Sequence, residues 1–386
     1  MTSSSRDRVG VAVIGAGAIS NEYLSNLTSF PDLDVLMVAD LDVDRARAQA
    51  EKHGVPAWGG MADALAHPGV EIVSNLTIPA AHVEVSTAIL QAGKHVWTEK
   101  PLALDRAGGA GLLQLAAQQG LRIGSAPDTI LGRGLQSAQR LISSGVIGRP
   151  LTATTMMQDP GPECWHPSPE FIYAKGGGPL WDRGPYYLAM LTQLLGPVRS
   201  VAGLALTTYA DRTIATGPKA GTVFPVEVPT SINVLTEFVG GQIAQSTYSF
   251  ESALPRNGFV EISGTEGTLA IPDPNRFDGD LYLFPARQWT LAELIAIDGI
   301  EPPRSEWTTL PTEKATAKRG SGLLDMARSI RAGVAHRASA ELGYHVLDTL
   351  IAITEATENR SFIPIDSTAD TPEPLPEDWD PYAATL

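Results

Sequence analysis

The chain has 386 residues, 43% hydrophobic and 18% charged, which is ample apolar surface for a core and excludes a disordered chain. Lys and Arg total 28 against 43 Asp and Glu, a formal net charge of −15, and a field of that sign argues against nucleic acid and anionic membrane surfaces as partners. The start, Met1-Thr2-Ser3-Ser4-Ser5-Arg6-Asp7-Arg8, is polar with no secretory h-region, and no run reaches the ~18 apolar residues of a membrane span, so a cytoplasmic protein is expected. Cys164 is the single cysteine, which rules out an intrachain disulfide and a thiolate zinc site.

From Val9 to about Ser125 short apolar runs alternate with helical stretches. Val9–Ile14 reads as a strand buried on both faces, ending at Gly15-Ala16-Gly17, with a helix to about Leu27. Leu33 to Ala39 is a second strand, ending at Asp40. Asp42 to His53 is a polar helix stopped by Gly54. Strands at Val70–Leu76, Lys94–Glu99 and Leu121–Ser125 alternate with helices at Ala80–Ala92 and Asp105–Gln119. Strict alternation predicts a parallel, doubly wound sheet, with ligands at the carboxyl ends of its strands.

After about Pro127 the pattern changes. A helix from Gly134 to Ser143 precedes a Pro- and Gly-rich stretch, Asp159 to Pro179, too long for an idle connector. A helix from about Trp181 to Leu195 follows. Strand-like segments then succeed one another: Val198–Leu206, Thr230–Phe238, Gln242–Phe250, Gly258–Gly264, Thr268–Ile271 and Leu281–Phe284. They predict a second, α+β domain with a mostly antiparallel sheet, closed by helices at about Leu323–Ala332 and Glu341–Thr357. The expected division is residues 1–128 as an α/β Rossmann domain, 129–365 as a substrate-binding and oligomerisation domain, and 366–386 as an acidic, proline-containing and poorly ordered tail.

Gly15-Ala16-Gly17-Ala18-Ile19-Ser20 follows a strand and opens a helix. The first glycine permits the tight turn, the second admits a pyrophosphate to the backbone, and Ser20 is small enough for helix-to-strand packing. Asp40 ends the next strand at the ~20-residue spacing where a carboxylate bonds the adenosine ribose hydroxyls. It would repel a 2′-phosphate, and Leu41 and Asp42 supply no cation, so NAD is favoured over NADP. Glu99-Lys100-Pro101 closes a strand on the ligand face, where the Lys100 ammonium could orient a substrate hydroxyl and lower its pKa.

With these together the chain resembles the glucose-fructose oxidoreductase/inositol dehydrogenase/MocA (Gfo/Idh/MocA) family. The residues that carry the resemblance are the Gly15–Ser20 loop, Asp40, Thr77-Ile78-Pro79 with His82, Ala92-Gly93-Lys94-His95-Val96…Glu99-Lys100-Pro101, and Gly176-Gly177-Gly178-Pro179-Leu180-Trp181-Asp182-Arg183-Gly184-Pro185-Tyr186. The resemblance implies a Rossmann domain plus an α/β domain with an open, mostly antiparallel sheet. It also implies NAD(P)-dependent redox chemistry on sugars, glycosides or cyclitols, in a homodimer or homotetramer. Cofactor contacts would come from Gly15, Gly17, Ala18, Ile19, Asp40, Thr77, Ile78, Pro79, Glu99 and Lys100. His82 would serve either the cofactor or packing.

The family's Lys carries over to Lys100, and its Asp to Asp182. Its usual His is here Tyr186, at i+4 from Asp182 and so on the same helical face. A phenol is a weak base near neutrality unless a cation lowers its pKa. Proton transfer therefore lies with Tyr186, with His166 in Cys164-Trp165-His166-Pro167, or with water or Lys100. Asp128 is either a pocket carboxylate or a helix N-cap, and Trp165, Phe171 and Tyr173 could stack on a sugar face or pin their loop. The remaining histidines form no ligand-spaced cluster, so no metal is expected. Two alternatives stand beside a dehydrogenase: a glycosidase that oxidises its substrate transiently with NAD, and a non-catalytic NAD(P)-binding regulator.

Overall fold

The structure, a computed structural model, describes residues 8–296, 306–312 and 317–386. They form two compact units, one from residues 8–131, 317–351 and 366–386, the other from 132–296, 306–312 and 352–365.

The first unit is built on a six-stranded sheet. Its strands are β1 (Val9–Ile14), β2 (Leu33–Ala39), β3 (Ala57–Gly59), β4 (Ile72–Asn75), β5 (His95–Thr98) and β6 (Ile123–Ser125). They lie in the order β3-β2-β1-β4-β5-β6, all parallel. β1 and β4 are buried along their whole length because helices cover both faces, which explains the unbroken apolar reading of β1. The helices between the strands are α1 (Ala18–Leu27), α2 (Val43–His53), α3 (Met61–Ala66), α4 (His82–Gln91) and α5 (Arg106–Gln119). Val85, Ile89 and Leu90 of α4 and Leu112 and Ala116 of α5 join Val73, Val96 and Ile123 in one core. Strand order reverses between β1 and β4, so the loops after those strands open at the switch point where dinucleotides bind in such sheets.

The second unit carries a nine-stranded sheet ordered β16-β15-β14-β13-β7-β12-β11-β8-β17. These strands are β7 (Pro150–Gln158), β8 (Val198–Leu206), β11 (Ser231–Phe238), β12 (Ile243–Ser249), β13 (Arg256–Gly264), β14 (Gly267–Ile271), β15 (Leu281–Pro285), β16 (Thr308–Leu310) and β17 (Ile363–Pro364). A small hairpin pairs β9 (Asp211–Thr213) with β10 (Val223–Pro225). Every pair in the large sheet is antiparallel except β7 with β12. The helices α6 (Arg133–Ser143) and α7 (Gly178–Leu195) pack together, and α7 lies on β7, β11 and β12. Ile232, Val234 and Phe238 point to the covered face, while Leu204, Leu206, Leu235 and Ile243 are exposed on the other.

β7, a strand absent from the sequence reading, is central in the sheet and pairs in parallel with β12, and the sheet is otherwise antiparallel as expected. Two expectations need correction. The closing segments do not stay in a contiguous second domain. After the short helix α8 (Leu291–Ala296) and β16, residues 317–351 return to the first unit with α9 (Ser321–Ala332), and α10 (Ala340–Asn359) begins there. Ser125 on β6 bonds the Ala338 carbonyl through its N–H at 2.9 Å, so the returning chain borders the last strand. The tail is packed as well. Leu375 is fully buried, and Asp32 accepts the Thr385 and Leu386 N–H groups at 2.8 and 3.1 Å. Among the described residues no helix is long and apolar enough to cross a membrane.

Candidate functional site

Gly15 has φ +102°, a left-handed value, and a Cβ there would lie 2.6 Å from the Leu76 carbonyl carbon and oxygen. The turn therefore requires glycine to pass under the loop after β4. Gly17 is the N-cap of α1 and supplies no side-chain cap. A Cβ on Gly17 would meet nothing within 4 Å, so the helix N-terminus opens on free space. Ala18 and Ile19 are exposed in the first turn, whereas Ser20 is fully buried with its hydroxyl on the Gly17 carbonyl at 2.6 Å. An uncapped N-terminus beside open space fits a pyrophosphate.

Asp40 stands against this turn: Oδ2 accepts the Ala16 N–H at 2.6 Å and Oδ1 the Asp42 N–H at 2.9 Å. Leu41 and Asp42 supply no cation here, but a residue further along does. Arg45, in the first turn of α2, reaches 4.0 Å from Asp40 Oδ1 and 3.4 Å from Asp42 Oδ2. A helix that begins at Val43 turns its third residue back toward the end of β2, which a reading of Leu41 and Asp42 alone misses.

After β4, Thr77 donates its hydroxyl to Asn75 Oδ1 at 2.6 Å, and Ile78 is exposed ahead of the 3₁₀ turn Pro79–Ala81. His82 does not join this open rim. Its ring is fully buried, Nδ1 lying 2.7 Å from the Pro101 carbonyl and Nε2 3.1 Å from the Thr77 carbonyl. Burial pushes its pKa below the usual imidazole value, against both carbonyls. His82 thus ties the Thr77 loop to the turn after β5, the packing role rather than a cofactor contact.

That turn carries Glu99 and Lys100. Lys100 is half-buried, and Glu99 is buried with Oε2 accepting the Lys100 N–H at 3.0 Å and Oε1 the Tyr23 hydroxyl at 2.8 Å. Both Glu99 oxygens therefore work inside the fold, not toward a cofactor. Asp128 is also reassigned. It is fully buried, with Oδ2 accepting the Gly320 and Gly322 N–H groups at 2.7 and 3.2 Å and Oδ1 facing Arg319 at 3.1 Å. Burial raises its carboxyl above the usual range despite Arg319 and those amides. It caps a helix, but α9, far along the chain, rather than its own neighbour.

In the second unit Asp182 and Tyr186 lie on α7 at i and i+4, Asp182 half-buried and Tyr186 8% exposed. The cation that sequence reasoning passed over is Arg183, whose Nε is 3.1 Å from Asp182 Oδ2. Burial works against its charge, but Asp182, Tyr186, Asp159 and Asp273 hold its pKa above the ordinary value. Asp159 is raised by burial, with Gly161, Arg183 and Asn257 pulling the other way. One guanidinium thus serves a carboxylate cluster around the Asp182–Tyr186 face, and its only sequence signal was adjacency to Asp182.

The loop before α7 divides the remaining candidates. Trp165 and Phe171 are 56% and 66% exposed and flank His166, each ring 5.6 Å from the imidazole at 71°. The His166 Nδ1 accepts the Ser168 N–H at 3.0 Å, so the neutral ring carries its proton on Nε2. Its lone pair is committed to the loop, which weighs against His166 as a base. Tyr173 is corrected from stacking surface to core: it is fully buried, with its hydroxyl on Glu163 and the Arg212 guanidinium 5.6 Å from its ring. Among the described residues no group of three or more His, Cys, Asp or Glu side chains is arranged to hold a metal ion.

The family model described as "Oxidoreductase family, NAD-binding Rossmann fold" (GFO_IDH_MocA) matches residues 9–126, and that of the GFO/IDH/MocA C-terminal domain matches 135–270. The chain belongs to the Gfo/Idh/MocA oxidoreductase family, and its first unit is the NAD-binding Rossmann domain of that family. It is 26% identical to trans-1,2-dihydrobenzene-1,2-diol dehydrogenase of Mus musculus over 67% of this chain and 73% of that one. It is 23% identical to myo-inositol 2-dehydrogenase of Thermotoga maritima over 71% and 81%. The fold is shared with levoglucosan dehydrogenase in complex with NADH and levoglucosan, at TM-score 0.77 and 20% identity over 93% of this chain and 100% of that one.

Proposed function

We propose that the protein moves a hydride between a secondary hydroxyl of a sugar, glycoside or cyclitol, or the matching ketone, and NAD. The observation that carries the reading is the open, uncapped N-terminus of α1 beside Asp40, in one chain with the Glu99-Lys100-Pro101 turn and the Asp182–Tyr186 helix face. Gly15, Gly17, Ala18 and Ile19 would hold the pyrophosphate, Asp40 the adenosine ribose, and Thr77, Ile78 and Pro79 would border the cofactor. The Asp40 carboxylate favours NAD; Arg45 leaves NADP as the weaker cofactor rather than an excluded one.

A bound nicotinamide would supply the acceptor for the carbinol hydrogen, transferred as hydride. Lys100 donates to the reacting hydroxyl and favours its ionised form. Tyr186 relays the hydroxyl proton, giving its own phenol proton to solvent as it accepts the substrate's, a role that the commitment of the His166 lone pair supports, and Asp182 orients the substrate. Trp165 and Phe171, the exposed aromatics of the loop, offer a stacking surface for a sugar ring. The exposed face of the nine-stranded sheet, with Leu204, Leu206, Leu235 and Ile243, is the surface for a homodimer or homotetramer.

The test is an NAD+ reduction screen over sugars, glycosides, uronates and inositols, followed by Lys100→Ala on the best substrate. We expect NAD binding to persist while kcat falls about a hundredfold or more. Near-wild-type turnover in that variant would sink the assignment. Free sugar released from a glycoside without net NADH would mark the transient-oxidation glycosidase instead.

A further inference from the structure

A buried polar chain beneath the Lys100 turn takes no part in the reaction as described. Trp97 on β5 and Tyr23 on α1 are fully buried, and Glu99 is 8% exposed. The Trp97 indole N–H donates to the Tyr23 hydroxyl at 3.1 Å, and that hydroxyl donates to Glu99 Oε1 at 2.8 Å. Glu99 Oε2 then accepts the Lys100 N–H at 3.0 Å. An indole can only donate and a carboxylate can only accept, so the direction of the chain is determined and no member can turn over without stranding a buried polar atom. Burial, with the charges of Glu99 and Asp128, holds the Tyr23 hydroxyl firmly protonated, against the pull of Arg319.

We propose that Tyr23, acting through Glu99, is a positioning residue for Lys100. Its hydroxyl donates to Oε1 and thereby keeps Oε2 directed at the Lys100 N–H, which sets the backbone from which the ammonium projects. Without that hydroxyl, Oε1 faces a buried site with no donor from Tyr23, and rotation of the carboxylate to find another releases the Lys100 amide. The inference rests on the functional reading above, because it takes Lys100 to be the group that meets the substrate hydroxyl. It adds a residue that no motif contains, 76 positions upstream of its partner.

The experiment uses the full chain, NAD+ and the substrate found in the screen. Tyr23→Phe should lower kcat about tenfold while the NADH Kd and substrate KM move less than about threefold. Amide exchange at Lys100, read by mass spectrometry, should speed up about tenfold without substrate present. Added to Lys100→Ala, Tyr23→Phe should cost less than about twofold more, since the route through Lys100 is already gone. Glu99→Gln should repeat the loss.

A Tyr23→Phe kcat within about twofold of wild type overturns the proposal, as does an undiminished loss in the Lys100→Ala background. Failure of both Tyr23→Phe and Glu99→Gln to fold also overturns it, because the pair then serves the core. Full activity in Lys100→Ala refutes the functional reading first; a slow Lys100→Ala beside an unaffected Tyr23→Phe refutes the positioning alone. If the screen yields no substrate, unchanged Lys100 exchange in Tyr23→Phe is sufficient to reject it.

Discussion

Two glycines two positions apart make opposite demands on the same turn. Gly15 has a left-handed backbone and a carbonyl 2.6 Å from where a Cβ would stand, so Gly15→Ala strains the fold itself, by about 1–3 kcal/mol. Gly17 has φ −73° and no atom within 4 Å of a Cβ, so the fold tolerates Gly17→Ala. If the space beyond it receives a pyrophosphate, the new methyl intrudes on the ligand alone. We therefore expect Gly15→Ala to lower Tm, and Gly17→Ala to keep Tm while weakening NADH binding about tenfold or more, read by cofactor fluorescence. An unchanged Kd in Gly17→Ala would remove the pyrophosphate from this turn.

At the scale of elements, Asp128 shows how one side chain joins distant segments. It receives two amides at the start of α9 and the Arg319 guanidinium, and both side chains are nearly or fully buried. Removing the carboxylate leaves Arg319 and the amides without their acceptor, so Asp128→Ala should cost about 3 kcal/mol in denaturant unfolding. A loss under about 0.5 kcal/mol would mean that the clamp is replaceable by water. The same residue shows where sequence reading stops. The Gly15–Gly17 turn and the place of Asp40 beside it were legible because they are local, and β1 because burial on both faces leaves a continuous apolar run. Asp128, His82 and Tyr173 were each left between a site role and a structural one because the partners that decide lie elsewhere, Arg319 being 191 positions from Asp128. β7 escaped because its inward positions include Thr155, whose hydroxyl is satisfied by Ser246 at 2.8 Å, so polar and apolar residues do not alternate along it. β3 has three residues, too few for any period to register.

At the scale of the whole molecule, the first unit is closed by chain that arrives last. Arg328 of α9 bonds Asp32 at 2.8 Å and the Asp380 and Ala383 carbonyls at 3.1 and 2.7 Å, while Arg337 bonds the Glu373 and Pro374 carbonyls at 2.9 and 3.0 Å. Acidity and proline content suggested a loose tail, but its backbone carbonyls, not its charges, find the arginines. Asp32 gathers the end of this segment. Burial opposes its charge, yet the Thr385 hydroxyl, the Leu386 and Thr385 amides and Arg328 together hold its carboxyl below the usual range. The unfolded chain, with Asp32 near its reference value of about 3.9, binds that proton at a higher pH than the folded chain does. The contribution to stability is therefore complete above the unfolded value and is lost as pH falls through the lower, folded one. Truncation at Asp366, or Asp32→Asn, should lower Tm at neutral pH and flatten its fall below about pH 4, because the group that loses its advantage there is gone. Thermal unfolding across pH 2–7 (about six points) checks this. A truncated chain that keeps the acid limb of the full one would place the acid sensitivity in other paired carboxylates, such as Glu71 with Arg331 or Asp348 with Arg106, and leave the tail as packing alone.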